Sequence, residues 1–394
     1  RHLPLHVLEL ALGGLHVTAL PDEAMVHADA IFLGPGEQTF PTFLRDLREG
    51  RPVRVYRSTA GRTLERLPPV RRDLIARRNY LVPNSLVVTR GCPQHCDFCY
   101  KDAFFAGGRS FYTQRIDHAL AEIARLPGRH LYFLDDHLLG DRRFARALFA
   151  GMRGMNRLFQ GASTVDAILR DDIIERAAEA GLRSLFVGFE TLSGGNLARS
   201  NKRQNLGLDY KAVTDRLHGL GIMINGSFVF GMDDDDAGVF RRTVDWAIEH
   251  GLTTATFHIQ TPYPSTALHA RMEAEGRITT GDWDLYDTRH VVYRPARLKP
   301  EELKDGYDWA YRGLPRVLSL VVHLACGAHA PLDEAPGEAF LLRRRVEEVG
   351  ARVEHGDPGQ AARPDDTAAR GRAVAGDRRI TRTGGRPAGY LDSA

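Results

Sequence analysis

Between residues 86 and 259 six short apolar runs recur, separated by segments of helical periodicity, and this alternation limits the available folds more than any other feature of the chain. The runs are Leu86 to Thr89, Leu131 to Leu134, Gln160 to Thr164, Ser184 to Phe189, Met223 to Phe230 and Thr254 to Ile259. Near Arg115, Ile116, Leu120 and Ile123 share one helix face that Pro127-Gly128 stops. Asp171 is expected to cap a helix closed by Gly181, and Asp209 one carrying Tyr210, Val213 and Leu217. Phe240, Val244, Ala247 and Ile248 line another before Gly251. Right-handed crossovers wind such units into a partial (β/α)6 parallel barrel over 81–275, whose chemistry sits at the carboxyl ends of its strands.

The front of the chain carries a second α/β pattern. Residues 5–12 read as a strand ending at Gly13-Gly14, followed by a helix around Glu23 to His27, a strand from Ala30 to Leu33 and a helix from about Gln38 to Arg48. Residues 1–50 therefore look like the C-terminal part of a Rossmann-like doubly wound domain, with ligands expected beyond its strand ends. Residues 51–80 are rich in Arg and Pro and read as a linker. A helical extension is expected over 276–330. After it, 331–394 is rich in Ala, Gly, Arg, Asp and Pro, with Phe340 and Tyr390 its only aromatics, and reads as a disordered or aberrant tail. The first residue is Arg1 and no secretory layout follows, so the expectation is an N-terminally truncated chain.

Charge excludes one class of partner. Lys and Arg total 53 against 50 for Asp and Glu, and a net charge of +3 makes no case for nucleic-acid binding; a small molecule is the expected partner. The apolar stretch from Val317 to Ala328 contains His323 and falls short of the ~20 residues of a membrane span. Four cysteines, three of them within eight residues, make a poor disulfide framework and fit a reducing cytoplasm. Cys326 lies in an apolar run without a nearby partner and receives no role.

The three remaining cysteines stand in Arg90-Gly91-Cys92-Pro93-Gln94-His95-Cys96-Asp97-Phe98-Cys99-Tyr100, directly after the first barrel strand. Thiolates there converge on one centre. Three cysteine ligands on a four-iron cubane leave one iron open to substrate or cofactor. The alternative is zinc held by Cys92, Cys96, Cys99 and either His95 or Cys326, but zinc sites usually join two separated ligand pairs, and no second pair exists.

This motif resembles the signature of the radical S-adenosylmethionine (SAM) superfamily, with Phe98 supplying the aromatic before the last cysteine. The resemblance implies that Cys92, Cys96 and Cys99 hold a 4Fe-4S cluster, that its open iron chelates the amino and carboxylate groups of SAM, and that electron transfer yields methionine and a 5'-deoxyadenosyl radical. The protein's own task is then to position the sulfonium, exclude water and aim the radical. Asp135 and Asp136, after the second strand, either accept hydrogen bonds from the ammonium or ribose of SAM or serve as a cap or solvated loop. Glu190, ending the fourth strand, is similar in position to a SAM contact in relatives. Lys202 either reaches the methionine carboxylate or is a surface loop lysine. Gly231 lets backbone approach the adenosine, or serves packing alone. The run Asp233 to Asp236 lacks the glutamate of a calcium loop, since Val244 stands there, and reads as a solvated turn. Gln260 to Thr266 resembles a family loop that closes over the site.

Gly13-Gly14-Leu15-His16-Val17-Thr18 and Ala28 to Glu37 resemble the end of a cobalamin-binding domain, which points to the cobalamin-dependent branch of the superfamily. Gly13, Gly14, Gly34 and Gly36 then allow close approach of the cofactor's nucleotide tail. Pro35 stands where relatives often carry an acidic loop, and His16 is read as structural rather than as a ligand. The implied activity is cobalamin-dependent C-methylation of a small molecule or lipid, driven by a reducing donor such as flavodoxin or ferredoxin. Two alternatives stay open: a cobalamin-dependent radical cyclisation or rearrangement, and a truncated, non-catalytic cluster-binding fragment.

Overall fold

The computed structural model describes residues 10–313 apart from 59, 60, 66 and 81, all within one compact unit. The expected start of the first strand, the apolar stretch around Cys326 and the tail lie outside the described residues. Among the described residues no helix is long and apolar enough to cross a membrane.

Three parallel strands open the fold: β1 (Ala11–Gly13), β2 (Ala30–Leu33) and β3 (Val55–Arg57), in that spatial order. β2 is buried along its whole length, as a central strand covered on both faces must be. The third strand lies inside the segment read as a linker. It was not legible there because only Tyr56 of its three residues is buried, packing with Phe32 and Phe43, while its neighbours are exposed.

The larger sheet contains β4 (Ser85–Leu86), β7 (His130–Phe133), β8 (Leu158–Thr164), β9 (Leu182–Glu190), β10 (Met223–Phe230) and β11 (Thr254–Ile259), parallel and in the order β11-β10-β9-β8-β7-β4. This is the expected open arc of six strands. The first apolar run is broken in two: after β4 the chain turns away and pairs as β5 (Thr89–Gly91) with β6 (Phe111–Thr113) in an antiparallel ribbon. Side chains alternate across a strand. Leu131 and Phe133 of β7, Leu185, Val187 and Phe189 of β9, and Phe228 and Phe230 of β10 join the core against the helices. The alternate positions line the concave face, where the site lies.

Helix boundaries follow local chemistry. Asp209 caps its helix by accepting the Lys211 N–H, as expected. Asp172, rather than Asp171, immediately precedes the helix Ile173–Ala180, because Asp171 itself turns with φ +49°. Gly181 ends that helix at φ +111°, where an added Cβ would lie 1.8 Å from the Arg157 carbonyl oxygen.

The front sheet and the barrel are bolted together. Arg62, 5% exposed, donates to the carbonyls of Phe105, Ala106 and Arg109 and to the Ser58 hydroxyl. Glu37, in the first turn of the helix Gly36–Arg48, pairs at 2.8 Å with Arg90, two residues before Cys92.

Candidate active site

The cysteine loop begins at Gly91, whose φ of +75° and close approach to Ser110 O, 2.0 Å from an added Cβ, admit no other residue without rearrangement. Neighbouring strand ends grip the loop. Asp97 N donates to Ser200 O, Asn201 Nδ2 to His95 O, and Leu268 N to Asp97 O. Phe98 packs against the main core and seats the loop from below. Cys92 and Cys96 are buried, Cys99 is half-buried, and all three are free thiols. Burial pushes the Cys92 and Cys96 thiols up; for Cys96 the charge of Lys202 and a hydrogen bond from Gln204 oppose it.

Among the described residues no group of three or more His, Cys, Asp or Glu side chains closes on a single ion. His95 turns outward instead and pairs with Asp102 at 2.8 Å, which removes it as a zinc ligand. A cubane suits this arrangement better, because its irons occupy separate corners and each thiolate binds a different one, so the sulfurs need not close on one point. Two N–H donors already face the thiols: Gln204 Nε2 lies 3.5 Å from Cys96 Sγ and Lys101 Nζ 3.4 Å from Cys99 Sγ. The donor set fits an iron-sulfur cluster.

Beside the loop lies a buried ion pair. Lys202 Nζ donates to Glu190 Oε1 at 2.6 Å, with side chains 7% and 11% exposed. Lys202 is thus not a surface lysine; the polar run around it is folded under the cysteine loop. Burial alone would lower its pKa, but Glu190 and the cysteine thiolates outweigh that and raise it, so the ammonium stays charged. Glu190 ends β9 with φ +65°, a conformation that costs a non-glycine residue of order 1–3 kcal/mol. Two residues earlier Gly188 makes room: a Cβ there would lie 2.6 Å from Glu190 Oε1 and 3.3 Å from Lys202 Nζ.

Asp135 and Asp136 part company in the turn that follows β7. Asp135 is 2% exposed and accepts the Val88 and Thr89 N–H groups and the Thr89 hydroxyl, fixing the break between β4 and β5. Asp136 lies on the concave side with Tyr100 Oη at 3.1 Å and Lys101 Nζ at 3.5 Å. At Gly231, φ +90°, the space of a side chain is filled by Tyr293 and Leu303, so packing alone already requires glycine.

The acidic run is a solvated turn only at Asp236, which is exposed and bonds to Gly238 and Arg242. Asp235, 3% exposed, accepts the Gly231 and Met232 N–H groups and Asn196 Nδ2, and Asp233 is clamped by Arg271 and Arg277. Four aspartates in a row look hydrated in sequence; Asn196, Arg271 and Arg277, whose side chains hold Asp235 and Asp233, lie 38–44 residues away in the chain. The Gln260–Thr266 segment runs from the β11 end to the helix Ala267–Ala274, and Ser265 Oγ donates to Ala19 O of the front segment. Of the front glycines, Gly14 at φ +111° and Gly36 have nothing within 4 Å of an added Cβ, whereas Gly13 faces Phe32 and Gly34 faces the Phe104 carbonyl.

Several concave-face residues were missed: Thr164, Ser227, His258 and Gln260, each at a strand's carboxyl end. Odd steps from the buried aromatics Phe159, Phe228 and Phe257, which fall on the opposite face of each strand, would have found them. His137 was missed too. It is 2% exposed, with Nε2 3.2 Å from Thr164 Oγ1, and burial pushes its pKa down to about 4. The folded state therefore refuses a proton that the unfolded chain takes up below about pH 6.5. Stability from this group is present above that pH and lost as pH falls towards 4, up to about 3 kcal/mol. The difference in urea midpoint between the natural chain and His137→Gln is expected to vary with pH across this window and to be flat above pH 7; a pH-independent difference refutes the buried neutral imidazole.

Residues 86–247 match the family model of the Radical SAM superfamily, and the chain carries a domain of that superfamily. The chain is 28% identical over 308 residues to the bacteriochlorophyllide d C-12(1)-methyltransferase of Chlorobaculum tepidum, covering 75% of this chain and 66% of that protein. It is 25% identical over 312 residues to the hopanoid C-3 methylase of Methylococcus capsulatus, covering 73% and 59%. In fold it is similar to the radical SAM methyltransferase TsrM of Kitasatospora setae, solved with cobalamin and a 4Fe-4S cluster bound, with TM-score 0.57, 14% identity, and 70% and 59% of the two chains covered. The chain thus spans about two thirds or less of the length of these proteins.

Proposed function

We propose that the protein is a radical SAM enzyme that methylates an unactivated carbon of a small molecule or lipid with the help of cobalamin. The observation that carries this reading is the loop of three free cysteines, Cys92, Cys96 and Cys99, set beside the buried Glu190–Lys202 pair, with Cys92 and Cys96 close enough to act on the Lys202 charge, at the carboxyl end of β9 in a parallel arc. The methylase relatives support the reaction type, and the likeness to TsrM supports the fold that such a reaction uses.

A 4Fe-4S cluster held by the three cysteines supplies the electron that splits SAM. The chain's own residues do the rest. Lys202 keeps a positive charge beneath the site and Glu190 accepts a hydrogen bond at its edge, which suits the carboxylate and hydroxyl groups of SAM. Asp136 offers a carboxylate on the concave face opposite. His137, held neutral, adds no competing charge. Phe186 and Val229 alternate with polar Ser227 and Thr164 on that face, a mixture that excludes bulk water while orienting a ligand.

Cobalamin fits the front sheet at Gly14 and Gly36, where the backbone is bare on the strand-end side. His16 is already paired with Glu23 and is left as a structural residue. A flavodoxin- or ferredoxin-type donor and a cytoplasmic setting complete the proposal.

The test is anaerobic reconstitution with iron, sulfide and a strong reductant, followed by SAM. Formation of 5'-deoxyadenosine and bound corrinoid absorbance after incubation with cobalamin are expected. Cleavage without corrinoid binding would remove the cobalamin step, and a protein that loads a cluster yet never cleaves SAM would be a binding fragment instead.

A further inference from the structure

Lys101 is a half-buried cation with no part in the family motif. Its side chain is 14% exposed, and its ammonium lies 3.4 Å from Cys99 Sγ, 3.5 Å from Asp136 Oδ1 and 5.0 Å from the centre of the Tyr100 ring. Tyr100 Oη also donates to Asp136. The carboxylate and the ring hold the lysine from one side while its free donor points at the sulfur. A lysine does not stay in such a place for packing alone, since a desolvated ammonium needs a charged partner.

We propose that Lys101 sets the reduction potential of the cluster, donating an N–H···S hydrogen bond and a positive charge to the Cys99 thiolate, with Asp136 as the opposing charge beside it. The proposal rests on cluster binding by the three cysteines. Reduction adds one electron, delivered by the flavodoxin- or ferredoxin-type donor, and makes or breaks no bond. A positive charge and N–H donors close to the sulfurs favour the reduced form, so they raise the potential. Gln204 plays a weaker, neutral version of the same part at Cys96. Asp136 acts in the opposite sense, because its charge opposes an incoming electron, while the Tyr100 ring and the Cys99 sulfur keep the lysine in place when that charge is removed.

The experiment is an EPR-monitored redox titration of the reconstituted full chain without SAM, on Lys101→Met, Lys101→Arg and Asp136→Asn, with iron and sulfide counted in each. Lys101→Met is expected to keep its cluster and to lower the reduction equilibrium constant at least tenfold, which is ~59 mV for one electron. Lys101→Arg is expected to restore most of the shift, and Asp136→Asn to move the midpoint the other way. If Lys101→Met fails to hold iron, the pair Lys101→Arg and Asp136→Asn still decides, since opposite or absent shifts there refute the assignment. Unchanged midpoints combined with weaker SAM binding would overturn it in favour of a lysine that holds the SAM carboxylate. Absence of any cubane signal in the natural chain would instead overturn the underlying reading of the cysteine loop.

Discussion

Cys96→Ser is expected to abolish both cluster loading and SAM cleavage while leaving the fold in place. Serine replaces a soft thiolate by a hard, poorly ionised hydroxyl, and a cubane with only two thiolate ligands has lost the arrangement that leaves a single iron open. The loop itself is held by backbone bonds to Ser200 and Leu268 and by the Phe98 ring, none of which involves the sulfur. Iron and sulfide should therefore fall to background and 5'-deoxyadenosine become undetectable, with an unchanged urea midpoint for the apoprotein. Cys326→Ser, outside the motif, should retain both. A Cys96→Ser protein that still cleaves SAM would remove the basis of the assignment.

The second large effect concerns stability. Lys202→Met is expected to cost about 3–5 kcal/mol, because it leaves the Glu190 carboxylate buried without its partner. The penalty reflects the stranded charge, not the worth of the pair. The double variant Glu190→Gln with Lys202→Met should accordingly recover most of the loss, and chemical denaturation of the three proteins measures it. Equal stability of the single variant and the natural chain would mean that water reaches the carboxylate and that the pair is not sealed beneath the cysteine loop. The double variant, though folded, should fail to bind SAM.

The barrel was legible because its strands are long and apolar: Met223–Phe230 and Thr254–Ile259 were read with the bounds the structure gives them. The cysteine motif was legible because its ligands are local in sequence. Other features depend on distant partners. Lys202 sits in Ser200-Asn201-Lys202-Arg203, a run with every mark of a surface loop, and only its meeting with Glu190 beneath the cysteine loop buries it. Asp235 was misread for the same reason, since the Asn196 amide that helps bury it lies 39 residues away in the chain. β3 escaped notice because a three-residue strand with one buried side chain carries almost no periodic signal. Asp135 and Asp136 could not be separated by composition, yet the turn that follows β7 sends one to the backbone of Val88 and Thr89 and the other to Tyr100 and Lys101.

The bolt formed by Arg62 and by Glu37 with Arg90 bears on how this protein can be cut and recombined. A chain trimmed to begin at 81, where composition alone suggests a seam, would leave the carbonyls of Phe105, Ala106 and Arg109 without their donor and Arg90 without its counter-ion. The front sheet is thus no detachable module: grafting a foreign one onto the arc would have to reproduce the arginine and the glutamate as well as the strands.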